Sequence, residues 1–565
     1  MRISALKGFN YFPSLKNVQK TSNYTVNTNY QPKLNADTVT FSGKYEVKPV
    51  NVETEMADKI AHSYETSTAG HRAEYMGETF TPPIVNLITL GMADYVKEKA
   101  EQEGHKPTIL IGGDTRQATR ESLPLIRDTL AGQGIDVIHI TEPVPSPLLA
   151  YAAEQNDIDL AVLMTASHNP WKDGGYNFVT DDGAIAGTDI TQKIAQNIRD
   201  IAERGVYTEL KTEKGNIKEI DPFDMYYKRI SKGIIDWDKI RDSGLTVYYD
   251  GLEGTGNYVV PKLLKKKGIP FIPVKSSGQE GPNPTEENLS LLKDTVSHSD
   301  KTGLVVGFAN DGDADRFGVI DEKGNFISTN DVLLLVAHHL ADNKGVEGAI
   351  VRSQSTSEQI DKIAEKHNLD VYETPVGFKY LGSDILKLRE QGSDILIAGE
   401  ESGGLTVNGH IPEKDGIIAI SLIMDLMAEE EKPLSTILSD LKKDIGTYYV
   451  SENISKKFPD DESKNKIMQK AEKLYDNAVN GDTDFYGTHE IDVERTVDCK
   501  KRMESYKQGG DGYKFFLTDG SNVLMRKSGT EPMVRCRIES TGKTLEEAQE
   551  NFDIINNDLV DFFKL

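Results

Sequence analysis

The sequence predicts an α/β protein with three similar mixed α/β domains and a smaller C-terminal α+β domain around a central active-site cleft. Its 565 residues exceed what one hydrophobic core usually fills, so several domains are expected. From about residue 53 onward, apolar runs of strand length alternate with segments of helical periodicity, which is typical of βα units with parallel strands. The pattern changes after the charged stretch 456–464, which sets the C-terminal part apart.

The first domain is predicted at residues 45–235, after a polar tail of residues 1–44. The tail is rich in Asn, Ser, Thr and Lys and lacks the apolar core of a secretory signal, so we expect it to be disordered; an organelle transit peptide is the alternative. In chain order, the predicted elements are the strand 108–111, the helix 122–131, the strands 137–140 and 160–164, and the helix 190–201. A polar helical segment at about 222–232 leads into the second domain.

The alternation of strands and helices continues through two more domains before the C-terminal one. For the second domain, residues 236–345, we predict strands at 245–249, 304–308 and 317–321 and a helix at 330–341. For the third, residues 346–446, we predict strands at 349–352 and 395–398 and helices at 356–367 and 380–391. For the fourth, residues 447–565, we predict a first helix, strands at 514–517, 523–525 and 534–539, and a closing helix from Leu545.

Composition limits the partners and the compartment. The chain carries 65 basic and 90 acidic side chains, and a formal net charge of −25 argues against nucleic acid or an anionic membrane as a partner. An anionic substrate must therefore be held by a local basic pocket. Cys499 and Cys536 are the only cysteines, too few for a disulfide framework, and no apolar run approaches the ~20 residues of a membrane span. We expect a cytoplasmic protein, either a monomer or a homodimer.

A candidate nucleophile follows the fully apolar strand 160–164. The next residues are Thr165-Ala166-Ser167-His168-Asn169-Pro170. Open α/β sheets bind their ligands just beyond the strand ends, where Ser167 would lie. Because Asn-Pro prevents an immediate continuation into a helix, we expect the Ser167 hydroxyl to be held on a turn. Taken alone, Thr-Ala-Ser more often marks a polar loop without chemistry, so the interpretation depends on the other motifs.

The sequence Asp311-Gly312-Asp313-Ala314-Asp315-Arg316 predicts a metal site. Three carboxylates at every second residue can converge on a divalent cation that offsets their mutual repulsion. Asp311, Asp313, Asp315 and Glu322 also match the spacing of an EF-hand loop, but that loop requires glycine where Arg316 stands and helices on both sides. We therefore predict one magnesium ion, with Arg316 beside it to steady a phosphoryl group.

The sequence Gly399-Glu400-Glu401-Ser402-Gly403-Gly404 follows the predicted strand 395–398. Two carboxylates and a hydroxyl on a loop that glycine permits suit the hydroxyl groups of a sugar. A glycine turn with solvated acids is an equally good interpretation of this stretch alone. Shortly afterwards, His410 and Lys414 add two titratable candidates for proton transfer.

The sequence Arg526-Lys527-Ser528-Gly529-Thr530-Glu531-Pro532, with Arg535 following, predicts a phosphate cradle. Hydroxyls, a glycine that exposes backbone N–H groups and two arginines together suit a phosphate dianion. A basic turn without a ligand is the alternative. By contrast, Gly542-Lys543-Thr544 lacks the earlier glycine of a P-loop.

The four motifs fall on four different predicted domains. A phosphorylated sugar held in a cleft between these domains would satisfy the serine, the metal site, the hydroxyl-binding loop and the phosphate cradle at once. The serine, metal and cradle together indicate phosphoryl transfer through a phosphoserine.

In this order, the four motifs resemble those of the α-D-phosphohexomutase superfamily, which includes phosphoglucomutase and phosphomannomutase. The resemblance extends from about Ser67 to the C-terminus. The segment 68–72 resembles the family's opening loop, and 113–116 and 374–379 resemble two further family segments. The resemblance implies an isomerase that depends on magnesium.

The resemblance also implies a role for each candidate. Ser167, next to His168, would be the phosphoserine and, with Asp311, Asp313 and Asp315, would hold the magnesium ion. Its phosphoryl group would pass to a hexose 1-phosphate, and the resulting hexose 1,6-bisphosphate, which also acts as activator, would turn round and return its other phosphoryl group. The implied substrate-binding residues are Arg72, Lys379, Glu400, Ser402, His410, Arg526, Ser528, Gly529, Thr530 and Arg535.

The chain departs from the family pattern at three positions. Many relatives carry a lysine for proton transfer soon after the serine loop, whereas residues 174–180 contain none; the candidates are Lys172, Lys379, His410 and Lys414, and the resemblance of 410–416 to phosphoglucomutase favours Lys414. Some phosphomannomutase-type relatives have histidine where Gly404 stands. The Glu-Glu-Ser loop differs from the Glu-Gln-Ser form associated with phosphoglucosamine mutase, which disfavours a glucosamine substrate.

The resemblance therefore implies a phosphoglucomutase that interconverts glucose 1-phosphate and glucose 6-phosphate. A phosphomannomutase, or an enzyme that accepts both sugars, is the nearest alternative. A non-catalytic phosphosugar-binding paralogue would explain the missing lysine and the unusual tail, but the intact Ser167 and the three aspartates count against it. A calcium-binding interaction protein is disfavoured by the strands on either side of the acidic motif.

Overall fold

The computed structural model describes residues 52–66, 70–205, 213–276, 280–483, 485–502, 512–528 and 532–564. The unit Pro49–Leu565 contains four sheets in sequence order. Three sheets are mixed and covered by helices and the fourth is antiparallel, so the predicted fold class is confirmed. The predicted tail 1–44 lies outside the described residues, and the predicted domain boundaries stay a prediction.

The first sheet has six strands and carries the predicted serine motif. Its elements are α1 (Thr54–Thr66), β1 (His71–Glu74), α2 (Pro82–Glu103), β2 (Thr108–Gly113), α3 (Gln117–Gly132), β3 (Asp136–Ile140), α4 (Ser146–Glu154), β4 (Leu160–Met164), β5 (Asp173–Val179), α5 (Thr188–Arg204) and β6 (Ile217–Ile220). The spatial order is β1-β5-β4-β2-β3-β6. Strands β4, β2, β3 and β6 run parallel, and β5 and β1 add to the sheet in antiparallel pairs.

The second sheet has five strands and carries the acidic motif. Its elements are α6 (Phe223–Ser231), α7 (Trp237–Asp242), β7 (Thr246–Asp250), α8 (Gly256–Lys267), β8 (Phe271–Pro273), α9 (Ser290–Ser297), β9 (Val305–Asn310), β10 (Phe317–Ile320), β11 (Phe326–Ile327), α10 (Thr329–His338) and a π-helical turn, His339–Asn343. The order is β11-β10-β9-β7-β8, with β9, β7 and β8 parallel.

The third sheet has four strands and carries the Glu-Glu-Ser loop. Its elements are β12 (Ala349–Ser353), a 3₁₀ turn (Glu358–Ile360), α11 (Asp361–His367), β13 (Val371–Thr374), α12 (Phe378–Glu390), β14 (Ile395–Glu400), β15 (Gly404–Val407), α13 (Gly416–Glu430) and α14 (Leu434–Ile445). The order is β13-β12-β14-β15, and only β15 is antiparallel to its neighbour.

The fourth sheet is antiparallel throughout its six strands. Its elements are β16 (Tyr448–Lys457), α15 (Asp461–Asn480), β17 (Phe485–Tyr486), β18 (His489–Asp498), α16 (Cys499–Arg502), β19 (Tyr513–Leu517), β20 (Asn522–Lys527), β21 (Met533–Gly542) and α17 (Leu545–Phe562). The order is β16-β21-β20-β19-β18-β17. None of the described helices combines the length and the apolar character needed to cross a bilayer.

The first three sheets share one local feature that positions the site. In each, a buried parallel strand ends in a short loop and the chain returns as an antiparallel strand: β4 to β5, β9 to β10, and β14 to β15. The serine motif, the acidic motif and the Glu-Glu-Ser motif occupy these three loops. The alternation of strands and helices predicts the central parallel strands, but not the parallel edge strands β6, β8 and β13. The glycine-containing antiparallel strands β5 and β15 also carry too weak a pattern to be predicted.

Two long helices escape prediction for one physical reason. In α13 every residue from Gly416 to Ala428 is buried, and in α2 almost every residue from Ile84 to Ala93 is buried. A helix surrounded by protein has no polar face, so the periodicity that marks an amphipathic helix is missing.

The fourth sheet contacts the third through charged side chains. One apolar core runs through the first three sheets, whereas the fourth has an apolar core of its own. Between them, the buried Nζ of Lys514 on β19 lies 3.0 Å from Glu358 and 3.4 Å from Glu373 of the third sheet's region. Arg352 also contacts Glu373, at 2.8 Å. Burial alone would raise the pKa of Glu358, but Lys514 and Arg352 outweigh it and lower that pKa to about 2.

We expect Lys514→Met to destabilise the C-terminal domain by about 3 kcal/mol, because it leaves two buried carboxylates short of a cation while keeping the side-chain volume. Urea unfolding followed by circular dichroism measures the change. Lys473→Met on the exposed face of α15 is the matched control and is expected to change stability by less than about 0.5 kcal/mol. Equal urea midpoints for Lys514→Met and Lys473→Met would contradict a stabilising role of Lys514.

The same network predicts an acid dependence of stability. Glu358 has a folded-state pKa of about 2 against an ordinary value of 4.5, so its contribution is present above pH 4.5 and is lost as the pH falls toward 2, because the unfolded chain takes up the proton first. When Lys514 is removed, the folded-state pKa of Glu358 moves back toward 4.5. The stability difference between wild type and Lys514→Met should therefore narrow when urea unfolding is repeated from pH 6 to pH 3. A difference that stays constant would contradict this account.

Candidate active site

Ser167 is held in a strained turn directly after β4. Its φ of +51° lies in the left-handed region that non-glycine residues rarely adopt, at a cost of about 1–3 kcal/mol. The side chain is buried, and the Ser167 N–H donates to Thr165 Oγ1 at 2.8 Å. The prediction that Asn169-Pro170 keeps the serine on a turn is confirmed.

A buried guanidinium fixes the backbone of this loop. Arg116 donates to the carbonyl oxygens of Ser167, Asn169 and Pro170, and its Nε donates to Asp114 Oδ2 at 2.9 Å. Asp114 Oδ2 also accepts from Thr165 Oγ1 at 2.7 Å. Charge-assisted hydrogen bonds from Arg116 to three carbonyl groups of the loop therefore offset the backbone strain at Ser167.

The acidic loop meets the serine loop. Ser167 Oγ donates to Asp311 Oδ2 at 2.8 Å, across the boundary between the first and second sheets. Asp311, Asp313 and Asp315 are all buried, and each offers an oxygen within 4.8 Å of the others. The spacing of every second residue thus brings the three carboxylates together, helped by a left-handed turn at Ala314, where φ is +56°.

The three carboxylates differ in electrostatic environment. Burial and the neighbouring Asp315 raise the pKa of Asp311 well above its usual range and that of Asp313 to about 6. Burial also opposes ionisation of Asp315, but Lys414 and Arg316 outweigh it and hold its pKa below the usual value. The cluster therefore concentrates more negative charge than the surrounding cations neutralise.

The unsatisfied oxygens of this cluster fit a divalent cation. Asp313 Oδ1 and Asp315 Oδ1 are buried and have no hydrogen-bond partner among the described residues. Each of the other Asp313 and Asp315 oxygens has a partner: Ser146 Oγ donates to Asp313 Oδ2, and Lys414 Nζ lies 3.1 Å from Asp315 Oδ2. Magnesium prefers few carboxylates supplemented by phosphate oxygen, and this donor set agrees with that preference.

Arg316 and His168 lie together beside the acidic loop. Arg316 donates from Nη1 to His168 Nδ1. Burial and the adjacent Arg316 lower the pKa of His168 to about 3, so the ring is neutral and accepts this bond. On the same wall, Arg72 Nη1 donates to the Ala166 carbonyl at 3.5 Å. Two guanidinium groups therefore approach the serine loop.

Lys414 reaches the acidic loop from the third sheet's region. Its Nζ lies 2.7 Å from Glu413 Oε1 as well as 3.1 Å from Asp315. Burial would lower the pKa of Lys414, but Asp315 and Glu413 outweigh it and raise that pKa above its usual value. Gly404 makes room for the lysine stem, since a Cβ there would collide with it.

The two glutamates of the Glu-Glu-Ser loop accept hydrogen bonds from different partners. Glu401 accepts hydrogen bonds from Ser355 at 2.7 Å and Ser353 at 3.2 Å, and so is engaged within its own domain. Glu400 accepts from the Gly377 N–H at 2.6 Å, and burial together with Glu401 raises its pKa to about 7.

A cavity of about 440 Å³ lies beside the serine loop and the acidic loop, and all four sheet regions contribute to its wall. Ser167 and Asp311 are buried and are not among the residues that line it. Its volume is within the usual range for small-molecule sites. The predicted site residues that line it are Arg72, His168, Asp313, Asp315, Arg316, Lys379, Glu400, Ser402, Lys414, Arg526 and Arg535. The prediction of a central cleft is thus matched by a cavity bounded by the first, second, third and fourth sheets.

Other predicted residues lie elsewhere. His410 is absent from the wall of this cavity; its Nε2 bonds to Asp415 Oδ2 at 2.7 Å, in a buried group with Tyr226. Ser528 is buried, and its carbonyl accepts from Lys464 at 3.1 Å. Gly529 and Thr530 lie outside the described residues.

The structure adds residues to which the sequence assigned no role. Arg116 holds the serine loop, Ser146 contacts Asp313, and Arg537 lines the cavity beside Arg526 and Arg535. For Arg116 a signal existed, because residues 113–116 resemble a family segment. Nothing in the local pattern around Ser146 marks it, since its partner lies 167 residues away.

Comparison with known proteins accounts for most of the chain. Four profiles described as phosphoglucomutase/phosphomannomutase match in order: alpha/beta/alpha domain I at residues 64–205, domain II at 224–324, domain III at 328–444 and the C-terminal domain at 465–554.

Individual relatives carry different substrate names. The phosphoglucosamine mutase of Carboxydothermus hydrogenoformans is 25% identical over 480 residues, which cover 83% of this chain and 93% of the relative. The probable phosphomannomutase of Haemophilus influenzae is 28% identical over 494 residues, which cover 82% and 94%. The open form of parafusin, a phosphoglucomutase from Paramecium, shares the fold with a TM-score of 0.70 at 22% identity, covering 88% of this chain and 94% of that one. The chain belongs to the phosphoglucomutase/phosphomannomutase family of isomerases, with all four family domains present.

Proposed function

We propose that the chain is a magnesium-dependent phosphoglucomutase acting through a phosphoserine at Ser167. The observation that carries this proposal is the contact of 2.8 Å between Ser167 Oγ and Asp311 Oδ2, made beside a cavity that four domains enclose. A strained, buried serine next to three carboxylates and two guanidinium groups is suited to phosphoryl transfer.

In the proposed reaction, the bond between phosphorus and Ser167 Oγ breaks as a hydroxyl oxygen of a hexose monophosphate bonds to phosphorus. The hexose 1,6-bisphosphate so formed turns round, and its other phosphoryl group returns to Ser167. Asp311 Oδ2 is the nearest acceptor for the serine proton. Bound at Asp311, Asp313 and Asp315, magnesium would neutralise the charge of the phosphoryl oxygens.

Lys414 is the proposed proton-transfer group. Its Nζ lies 3.1 Å from Asp315 Oδ2 and 2.7 Å from Glu413 Oε1, and its side chain lines the cavity. Its ammonium, which Asp315 and Glu413 stabilise, can donate a proton to the sugar oxygen that leaves when Ser167 is rephosphorylated. The amine left by that donation then accepts the proton of the next attacking hydroxyl.

The sugar is proposed to be held from two sides. Glu400 and Ser402 offer acceptors and a hydroxyl to the sugar hydroxyl groups, and Arg526 and Arg535 of the fourth sheet would hold the phosphate that is not reacting. Lys379 and Arg72 line the same cavity and add positive charge. Two buried cysteines without a disulfide support the proposed cytoplasmic location.

Glucose phosphate is proposed as the preferred substrate. Gly404 gives passage to the Lys414 stem, and the histidine that some phosphomannomutase-type relatives carry there would require the lysine to move. A dual specificity is the second candidate, because the curated relatives include a phosphomannomutase. Initial rates with glucose 1-phosphate, mannose 1-phosphate and glucosamine 1-phosphate test the proposed preference for glucose. A larger kcat/KM for mannose 1-phosphate would reject it.

We expect Ser167→Ala to lower kcat for glucose 1-phosphate by at least about 10⁴-fold, because the covalent route is removed while the cavity stays intact. Transfer of ³²P from labelled glucose 1,6-bisphosphate to the protein should also disappear.

Ser297→Ala on the exposed end of α9 is the control and should retain both properties. Phosphate incorporation that persists in Ser167→Ala would place the nucleophile elsewhere and overturn the assignment.

We expect magnesium to raise the melting temperature of the metal-free wild type, because a cation that binds the folded cluster stabilises it. Asp313→Asn should lose this magnesium response. In the absence of metal it should melt no lower than the wild type, since the substitution removes a carboxylate whose pKa is raised to about 6 by burial and by Asp315. Scanning calorimetry with EDTA and with added magnesium measures both effects.

Asp492→Asn, on β18 of the fourth sheet, is the control and should keep the full magnesium response. An equal magnesium response in Asp313→Asn and the wild type would exclude Asp313 as a ligand.

A further inference from the structure

A second cavity lies between the segment that follows α6 and the third sheet. Its volume is also about 440 Å³, and it shares no lining residue with the catalytic cavity. One wall is formed by residues 228–235, and the other by residues 407–410 together with Ile418 and Leu422 of α13. A cavity of this size is sufficient for a small organic molecule.

The charge of this cavity is opposite to that of the molecule. Lys228, Arg229 and Lys232 line it, and no acidic residue does. The chain as a whole carries 90 acidic and 65 basic side chains. From this composition, acidic residues would be expected among the charged residues that line a cavity. The local potential therefore attracts an anion.

Within the described part of the chain, close contacts with acids do not take up these three cations; Lys228 acts on Asp224 only as a nearby charge. None of the three side chains forms an ion pair or a hydrogen bond with any residue that the structure describes, although acids are close by. Asp221 and Asp224 are instead paired with Lys262 and Lys266 of α8. Folding alone therefore does not use the charges around the cavity.

The end of α6 does not account for the three cations. Lys228 and Arg229 occupy its last turn and Lys232 its C-cap, where a helix dipole presents about half a negative charge. Three full positive charges exceed that half charge, so the net field of this helix end still favours an anion. The helix dipole also does not explain why all three cations lie on one cavity wall.

Apolar side chains also line the cavity, which extends toward the catalytic loop. Ile418 and Leu422 of α13, with Tyr151 and Ile234, provide flat and branched apolar surface. His410 also lines the cavity, and its Nε2 bonds to Asp415, the residue that caps α13 and follows Lys414. Among the described residues, His410 Nδ1 has no hydrogen-bond partner, which leaves a polar atom for a ligand.

We propose that this cavity binds a small organic phosphate in which a phosphate group is joined to a flat apolar body, as in a nucleotide. The phosphate would lie against Lys228, Arg229 and Lys232, and the flat body against Tyr151 and the isoleucine side chains. The assignment is independent of the proposed mutase activity, since the two cavities share no residue.

Isothermal titration of the full chain with AMP, ADP and ATP tests the proposal. At least one of these nucleotides should bind with a stoichiometry of one and should bind more tightly than either adenosine or inorganic phosphate. Saturating glucose 1,6-bisphosphate should not displace it. Lack of binding by all three nucleotides, displacement by the sugar bisphosphate, or equal affinity for inorganic phosphate would each overturn the proposal.

Two variants locate the site. The triple variant Lys228→Ala/Arg229→Ala/Lys232→Ala should weaken nucleotide binding at least about tenfold, a change of about 1.4 kcal/mol. The triple variant Lys265→Ala/Lys466→Ala/Lys473→Ala removes the same charge from exposed positions elsewhere and should bind as the wild type does. Ile234→Trp keeps every charge but fills the cavity, and should also weaken binding. Wild-type affinity in either cavity variant, with unchanged circular dichroism, would place the nucleotide elsewhere.

Discussion

Three carboxylates buried within 4.8 Å of one another are the constraint on which the rest of the site depends. Like charges at that distance in a protein interior repel strongly, and the raised pKa values of Asp311 and Asp313 reflect it. The offsetting groups come from separate parts of the chain: Ser167 from the first sheet and Lys414 from the third. The cluster is therefore stable only when these domains are assembled around it.

The loops that meet at this cluster have a common origin in the fold. Each follows a buried parallel strand and precedes an antiparallel return strand, as in β4 to β5 and β9 to β10. A loop between two paired strands has both ends fixed by sheet hydrogen bonds, so it can hold a strained residue such as Ser167, with φ of +51°. Similar sheets thus present different chemistry at equivalent positions, which is how a repeated architecture builds a site without repeated residues.

Local pattern was sufficient for some of the strands and loops that border the cavity. The strand predicted at 160–164 is β4 with the same bounds, and the alternating aspartates converge as their spacing indicates. Tertiary proximity could not be predicted: the bond from Ser146 to Asp313 joins residues 167 positions apart, and His410, near Lys414 in sequence, faces the second cavity instead. Buried helices such as α13 also escaped prediction, because full burial removes the polar face that sequence periodicity detects.

The interfaces between the domains differ in character, and this difference indicates which domain could move to let a substrate enter and turn. The first three sheets are joined by a continuous apolar core, and separating them would expose that surface to water at about 25 cal/mol per Å². The fourth sheet meets the third through Lys514, Glu358 and Glu373, whose charges regain hydration when they separate. Hydration of both partners compensates for the lost ion pairs. Separating the fourth sheet from the third therefore costs less free energy than separating the first three sheets from one another. The arginines proposed to hold the distal phosphate, Arg526 and Arg535, lie on the domain that this interface would release.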